Sequence, residues 1–224
     1  MRGFDIKQIR MQSFQISGLT AKWGIGGGRS PIWDNNLVGR WDARTFPDGA
    51  LATIPNTATM ADKAPDLTVT GATMEKGTLQ FDGVDDGAAT ASFMFPEKFT
   101  IFWDIDWLGK EDNMAGIILS GNLYALNYAG KGSLSCWIRQ GGSFALIPNT
   151  SVCINSSGRY YSKSGVANNF TGTIGEGAPA GKLYIGRNSG NTVFTQMGFR
   201  QLLIFNKELS QAEVNDVLRV MFPA

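Results

Sequence analysis

The carboxylates Asp104 and Asp106 stand two residues apart in Phe99-Thr-Ile-Phe-Trp-Asp-Ile-Asp-Trp107, so an extended chain projects both from one face. Paired carboxylates of this kind can act as acid and nucleophile on a glycosidic bond when they sit about 5 Å apart. A second acidic group, Asp82, Asp85 and Asp86, offers hard oxygens that suit Ca²⁺, with backbone carbonyls to complete a shell. A third constellation is aromatic and amide: Trp137, Tyr160, Tyr161, Asn168, Asn169, Asn188 and Asn191 fall in or near expected loops. Exposed rings stack on the apolar face of a sugar, and amides bond its hydroxyls, so these seven residues are the candidate carbohydrate site. Against each stands a plainer role: two strand aspartates as a solvated face, Asp and Gly as turn formers, Trp137 as core. The chain has no histidine, which removes Ser-His-Asp and Cys-His catalysis and the commonest metal ligand.

The elements that must position these groups are short strands. With 28 Gly among 224 residues and few helical patterns, the composition favours strands and turns, and the length suits one sandwich domain. Leu79 and Phe81 alternate inward before the Asp-Gly corner, and Phe99, Ile101, Trp103, Ile105 and Trp107 line one face of the next strand. Further strands are expected at Asn36 to Ala43, Leu67 to Thr70, Ile117 to Leu119, Leu123 to Leu126, Leu134 to Ile138, Phe144 to Ile147, Leu183 to Gly186 and Phe199 to Phe205. Phe46-Pro-Asp-Gly49 is a turn signal, with Asp48 able to cap its own backbone. A single helix is expected after Ser210, which with Glu213 forms a capping box. Leu209 and Val214 fit a hydrophobic staple, and Val214, Val217, Leu218 and Met221 share one face.

Twenty basic and 19 acidic residues, scattered to a net charge of +1, leave no electrostatic footprint for nucleic acid. No run approaches the roughly 18 apolar residues that span a bilayer, and the first residues lack the apolar core of a secretory signal. Synthesis in a reducing cytoplasm without membrane insertion is expected, with Cys136 and Cys153 as buried thiols rather than a disulfide. Ahead of the sandwich, residues 1–35 read as an arm. Gln8 to Ile16 is nearly alternating, and Trp23-Gly-Ile-Gly-Gly-Gly-Arg-Ser-Pro31 is a loose joint with Trp23, Ile25 and Arg29 as anchoring candidates. That arm could add a strand to another subunit or fold back on its own sandwich.

Leu79 to Asp86, Phe99 to Trp103, Leu183 to Gly186 and the Glu208-Leu-Ser-Gln-Ala-Glu213 run occur in the order found in laminin-G-like, concanavalin A-like domains, and residues 36–224 resemble that family. The resemblance implies an all-β jelly-roll sandwich with one short C-terminal helix. Two positions depart from the family pattern: Lys163-Ser-Gly165 replaces an Asn-Gly hairpin, and Arg200 stands where an acid is often found. Glycosidases on related jelly rolls carry Glu-x-Asp-x-x-Glu on one strand. The glutamates are missing here, so the chain is expected not to be an enzyme, with a degenerate glycoside hydrolase the remote alternative. In the family the Asp corner often holds no ion, so no cofactor is expected, Ca²⁺ being the exception to test. The layout of a Gly-rich arm before one sandwich resembles bacteriophage virion proteins. It implies a structural virion component, in capsid decoration, a head fibre, a tail fibre or another tail or baseplate part, that displays a carbohydrate-binding-type sandwich as a homo-oligomer. Its partners would be other virion proteins and a host-surface glycan. A free-standing lectin or carbohydrate-binding module is the alternative.

Overall fold

The computed structural model describes residues 35–108, 116–119, 124–130, 133–138, 142–143, 145–175 and 180–223, and the side chain of Trp137 is outside that description. The arm expected at 1–35, with Trp23, Ile25 and Arg29, lies outside the described residues except for residue 35.

The described chain opens with β1 (Leu37–Asp42), a single 3-10 turn (Ala43–Thr45), β2 (Gly49–Ala50) and β3 (Thr53–Ile54). Then come β4 (Leu67–Thr70), β5 (Thr73–Glu75), β6 (Thr78–Asp82), β7 (Gly87–Thr90) and β8 (Phe93–Met94). The long β9 (Thr100–Trp107) leads to β10 (Gly116–Leu119), β11 (Tyr124–Gly130), β12 (Ser133–Ile138) and β13 (Ala145–Pro148). Next are β14 (Ser151–Asn155), β15 (Arg159–Ser162), β16 (Ala167–Asn169), β17 (Ala180–Gly181) and β18 (Leu183–Ile185). Last are β19 (Gln196–Phe205) and the helix α1 (Gln211–Met221).

One sheet runs β16-β15-β14-β9-β19-β6-β5-β2, with β1 beside the second half of β19, and the other runs β13-β12-β11-β10-β18-β7-β4-β3. Every strand pairing is antiparallel, and the pair β8 and β17 stands apart. The described residues form an all-β sandwich with one short C-terminal helix, the fold class expected from the sequence. Period-2 alternation fills its centre: Leu79 and Phe81 on β6, Ile101 and Trp103 on β9, and Leu183 and Ile185 on β18 all bury between the sheets. Ile105 and Trp107 pack against that core while half-exposed. A second core lies on the other side of the first sheet, where Val214, Val217, Leu218 and Met221 of α1 cover Leu37, Phe102, Leu203 and Phe205. The two layers explain why the centres of β9 and β19 are apolar at successive residues: each face has its own cover.

The capping box is present, Ser210 accepting from the Glu213 amide while Glu213 accepts from that of Ser210, and Leu209 buries with Val214. Asp48 departs from expectation: it accepts from the Lys76 amide at 2.7 Å across the β2–β5 ribbon, so it staples two strands instead of capping its own turn. Cys136 in one sheet and Cys153 in the other are buried thiols.

Candidate functional site

Two bulges shape the first sheet where it can do chemistry. In β19 the register with β9 shifts between Phe199 and Gln201, which turns Arg200 and Gln201 to the same side, away from the core between the sheets. Arg200 then reaches back to β9: its guanidinium bonds Asp106 Oδ2 at 2.5 Å, Asp106 Oδ1 at 2.8 Å and Asp104 Oδ1 at 2.7 Å. Gln201 donates to Asp42 Oδ2 at 2.8 Å, and Arg44 forks onto the same carboxylate. The hydrogen bonds from Arg200, ahead of its charge, hold the Asp106 carboxyl below the usual carboxylate range, and the same contacts push the Arg200 guanidinium up. An ionised, doubly bonded Asp106 is a poor proton donor near neutral pH, so the strand pair identified in the sequence is engaged by an arginine that its spacing did not reveal.

The second bulge is in β14, whose register with β15 shifts between Ser151 and Cys153. Val152 and Cys153, adjacent in sequence, consequently both bury under α1. β14 pairs with β9 only at Thr100, Ile101 and Phe102 and then leaves it. Beyond that point β9 is paired on one side, to β19, and on its other side a cleft of about 700 Å³ opens. One wall is β9 itself, with Trp103, Ile105, Asp106, Trp107 and the exposed Leu108. The opposite wall is made of two turns, Asn149-Thr150 with Ser151 and Val152 behind them, and Ser162-Lys163-Ser164 at the tip of the β15–β16 hairpin. Half-buried Trp107 and Ile105 thus face amide, hydroxyl and ammonium groups. Trp103 is 1% exposed, and its indole N–H is buried with no hydrogen-bond acceptor among the described residues.

The carbohydrate candidates drawn from the sequence do not converge there. Tyr161, 1% exposed, belongs to the core under α1, where burial pushes its hydroxyl pKa up; it is a packing residue and corrects the expectation of an exposed ring. Tyr160 packs against the core between the sheets. Asn168 and Asn169 are exposed on β16, toward the sheet end where β9 begins. Asn188 and Asn191 precede β19, at the opposite end and with β15, β14 and β9 between them and β16. They serve their own turn: Asn188 Oδ1 accepts from the Thr192 amide at 2.9 Å, and Asn191, at a φ of 56°, accepts from Arg187. The six candidates with described side chains therefore do not form one constellation, and that of Trp137 lies outside the description. Trp107, Asn149 and Ser164, which do share a cleft, were missed because only the divergence of β14 from β9 brings them together.

At the acidic corner Asp82, Asp85 and Asp86 lie together, their nearest carboxylate oxygens within 4.8 Å of one another. The turn uses two of them: Asp82 Oδ1 accepts from the Val84 amide at 2.7 Å, and Asp86 Oδ2 accepts from the Asp82 amide at 2.9 Å. Burial pushes the Asp86 carboxyl up, and its other oxygen lies where a Cβ on Gly71 would stand. Such a carboxyl fits a turn lock better than a cation cage, which needs oxygens free to point inward.

No family model matches the chain, and no curated protein matches it in sequence. Solved structures share its fold. A sialidase from Trypanosoma rangeli, solved with sialic acid, superposes at a TM-score of 0.60 and 15% identity over 95% of this chain and 39% of that one. The binding domain of botulinum neurotoxin DC, solved with SialylT, gives 0.60 and 14% over 85% of this chain and 52% of that one. The same binding domain solved with rat synaptotagmin II gives 0.58 and 15%. The chain thus spans about half or less of the structures it matches, and at these identities the likeness is one of β-sandwich fold.

Proposed function

We propose that the protein is a carbohydrate-binding sandwich whose site is the cleft along the open edge of β9. The observation that carries this reading is the composition of the cleft: Trp107 and Ile105 form an apolar wall opposite Asn149, Ser162 and Ser164, within about 700 Å³. A sugar ring presents an apolar face and a rim of hydroxyls, and a pocket with one aromatic wall and one amide and hydroxyl wall complements both. Fold neighbours solved with sialic acid and with SialylT support the reading at the level of architecture. The engagement of Asp104 and Asp106 by Arg200 favours binding over hydrolysis.

The finer proposal, that this sandwich is displayed on a bacteriophage particle through residues 1–35, draws its support from the sequence layout: a Gly-rich joint ahead of a single domain. A glycan array of the purified chain tests the binding function. Wild type is expected to retain a defined set of sugars, and Trp107→Ala and Asn149→Ala to lose them while staying folded by circular dichroism. Retention of the same sugars by both variants would move the site elsewhere.

A further inference from the structure

We propose that the cleft selects carboxylate-bearing sugars, with Lys163 as the group that pairs with the ligand's carboxylate. This rests on the carbohydrate reading of the cleft and narrows its ligand. Among the described residues two charged side chains line the space, Asp106 and Lys163. Asp106 already has its counter-charge, since Arg200 bonds both of its oxygens. Lys163 has no carboxylate within ion-pair distance among the described residues. Its field nevertheless reaches the cleft, because it adds to the lowering of the Asp106 carboxyl. Among the described residues the charge left without an ion-pair partner on the walls is therefore one ammonium. A cleft whose described walls carry an ammonium without a carboxylate partner asks its ligand for an anion, and a carboxylate answers with a charge-assisted hydrogen bond.

Lys163 is also placed rather than trailing in solvent. Its Nζ sits 4.6 Å from the centroid of the Phe222 ring, just past the end of α1. The hairpin that carries it is closed by Gly165 N–H to Ser162 O at 2.9 Å and Ser162 N–H to Val166 O at 3.1 Å. Gln211 of α1 holds the tip by donating to Gly165 O at 3.0 Å. A ring contact occupies one side of the ammonium and leaves N–H donors for an oxygen partner. Holding the cation in place lowers the side-chain entropy that an exposed lysine loses on pairing.

Titration of the full chain with lactose, 3′-sialyllactose and a glucuronic acid-bearing disaccharide tests the proposal. Either acidic sugar is expected to bind about tenfold more tightly than lactose, the scale of one charge-assisted hydrogen bond, with the preference shrinking as salt rises. Lys163→Gln should erase the preference, so that the acidic sugars and lactose bind with equal affinity. Phe222→Leu, which keeps bulk but removes the ring, should reduce the preference, and Phe222→Tyr should restore it. Equal affinity for all three sugars, or an acidic preference that survives Lys163→Gln, overturns the selectivity and leaves the cleft a sugar site. If none of the three binds, the carbohydrate reading of the cleft falls, and the selectivity with it.

Discussion

Trp103 is the residue on which the burial of β9 turns. Its ring is 1% exposed in the core between the sheets, so Trp103→Ala should cost about 3–5 kcal/mol through lost burial and the cavity left behind. Urea denaturation reads this as a lower midpoint, and a variant as stable as the parent would show that β9 presents its other face to the core. Arg200 is the second residue whose loss is informative. Because it holds the Asp106 carboxyl below its ordinary value, the stability from that contact is complete above the ordinary carboxylate range. It is lost as pH falls through the lowered value. Wild type should therefore exceed Arg200→Gln by a constant margin from neutral pH down to about pH 5, with the margin shrinking below about pH 4. Denaturation midpoints measured across that range check the sign, and a margin that grows on acidification contradicts it.

Among the elements, α1 is the one whose start is set by a local device. Replacing Ser210 by Ala removes the oxygen that accepts from the Glu213 amide, and a loss of about 1 kcal/mol in unfolding free energy is expected. An unchanged stability would mean that the burial of Val214, Val217, Leu218 and Met221 alone fixes the helix. The corner between β6 and β7 makes the opposite kind of claim, that a cluster of acids is a turn and not an ion site. Asp82 and Asp86 spend oxygens on backbone amides, and Gly83 takes a φ of 80° that a side chain would resist. EDTA is expected to leave the melting temperature unchanged; a fall of many degrees that Ca²⁺ reverses would establish a cation there.

At the scale of the whole molecule, the described strands of both sheets and the described members of both cores lie after residue 36. A chain beginning at Asn35 should accordingly stay soluble and melt cooperatively near the wild-type temperature, while light scattering reports whether assembly is lost. An unfolded truncation would make residues 1–34 part of the sandwich. The sequence by itself determined the strands whose alternation faces one core, such as Leu67–Thr70 and Leu183–Ile185, because burial on one side writes a period of two into the residues. It also determined α1 through its cap, which is a contact between neighbours. β14 and β15 were less legible: Ser151–Asn155 buries at successive residues under α1 and within the sheet, so no alternation marks it. Tyr161 could not be told from an exposed ring for the same reason, since its cover is a helix 50 residues away in sequence. The cleft itself belongs wholly to the tertiary structure. Two bulges and the parting of β14 from β9 set Arg200 on Asp106 and bring Lys163 and Trp107 to one cleft, and such long-range placements leave no mark on the spacing of the residues they join.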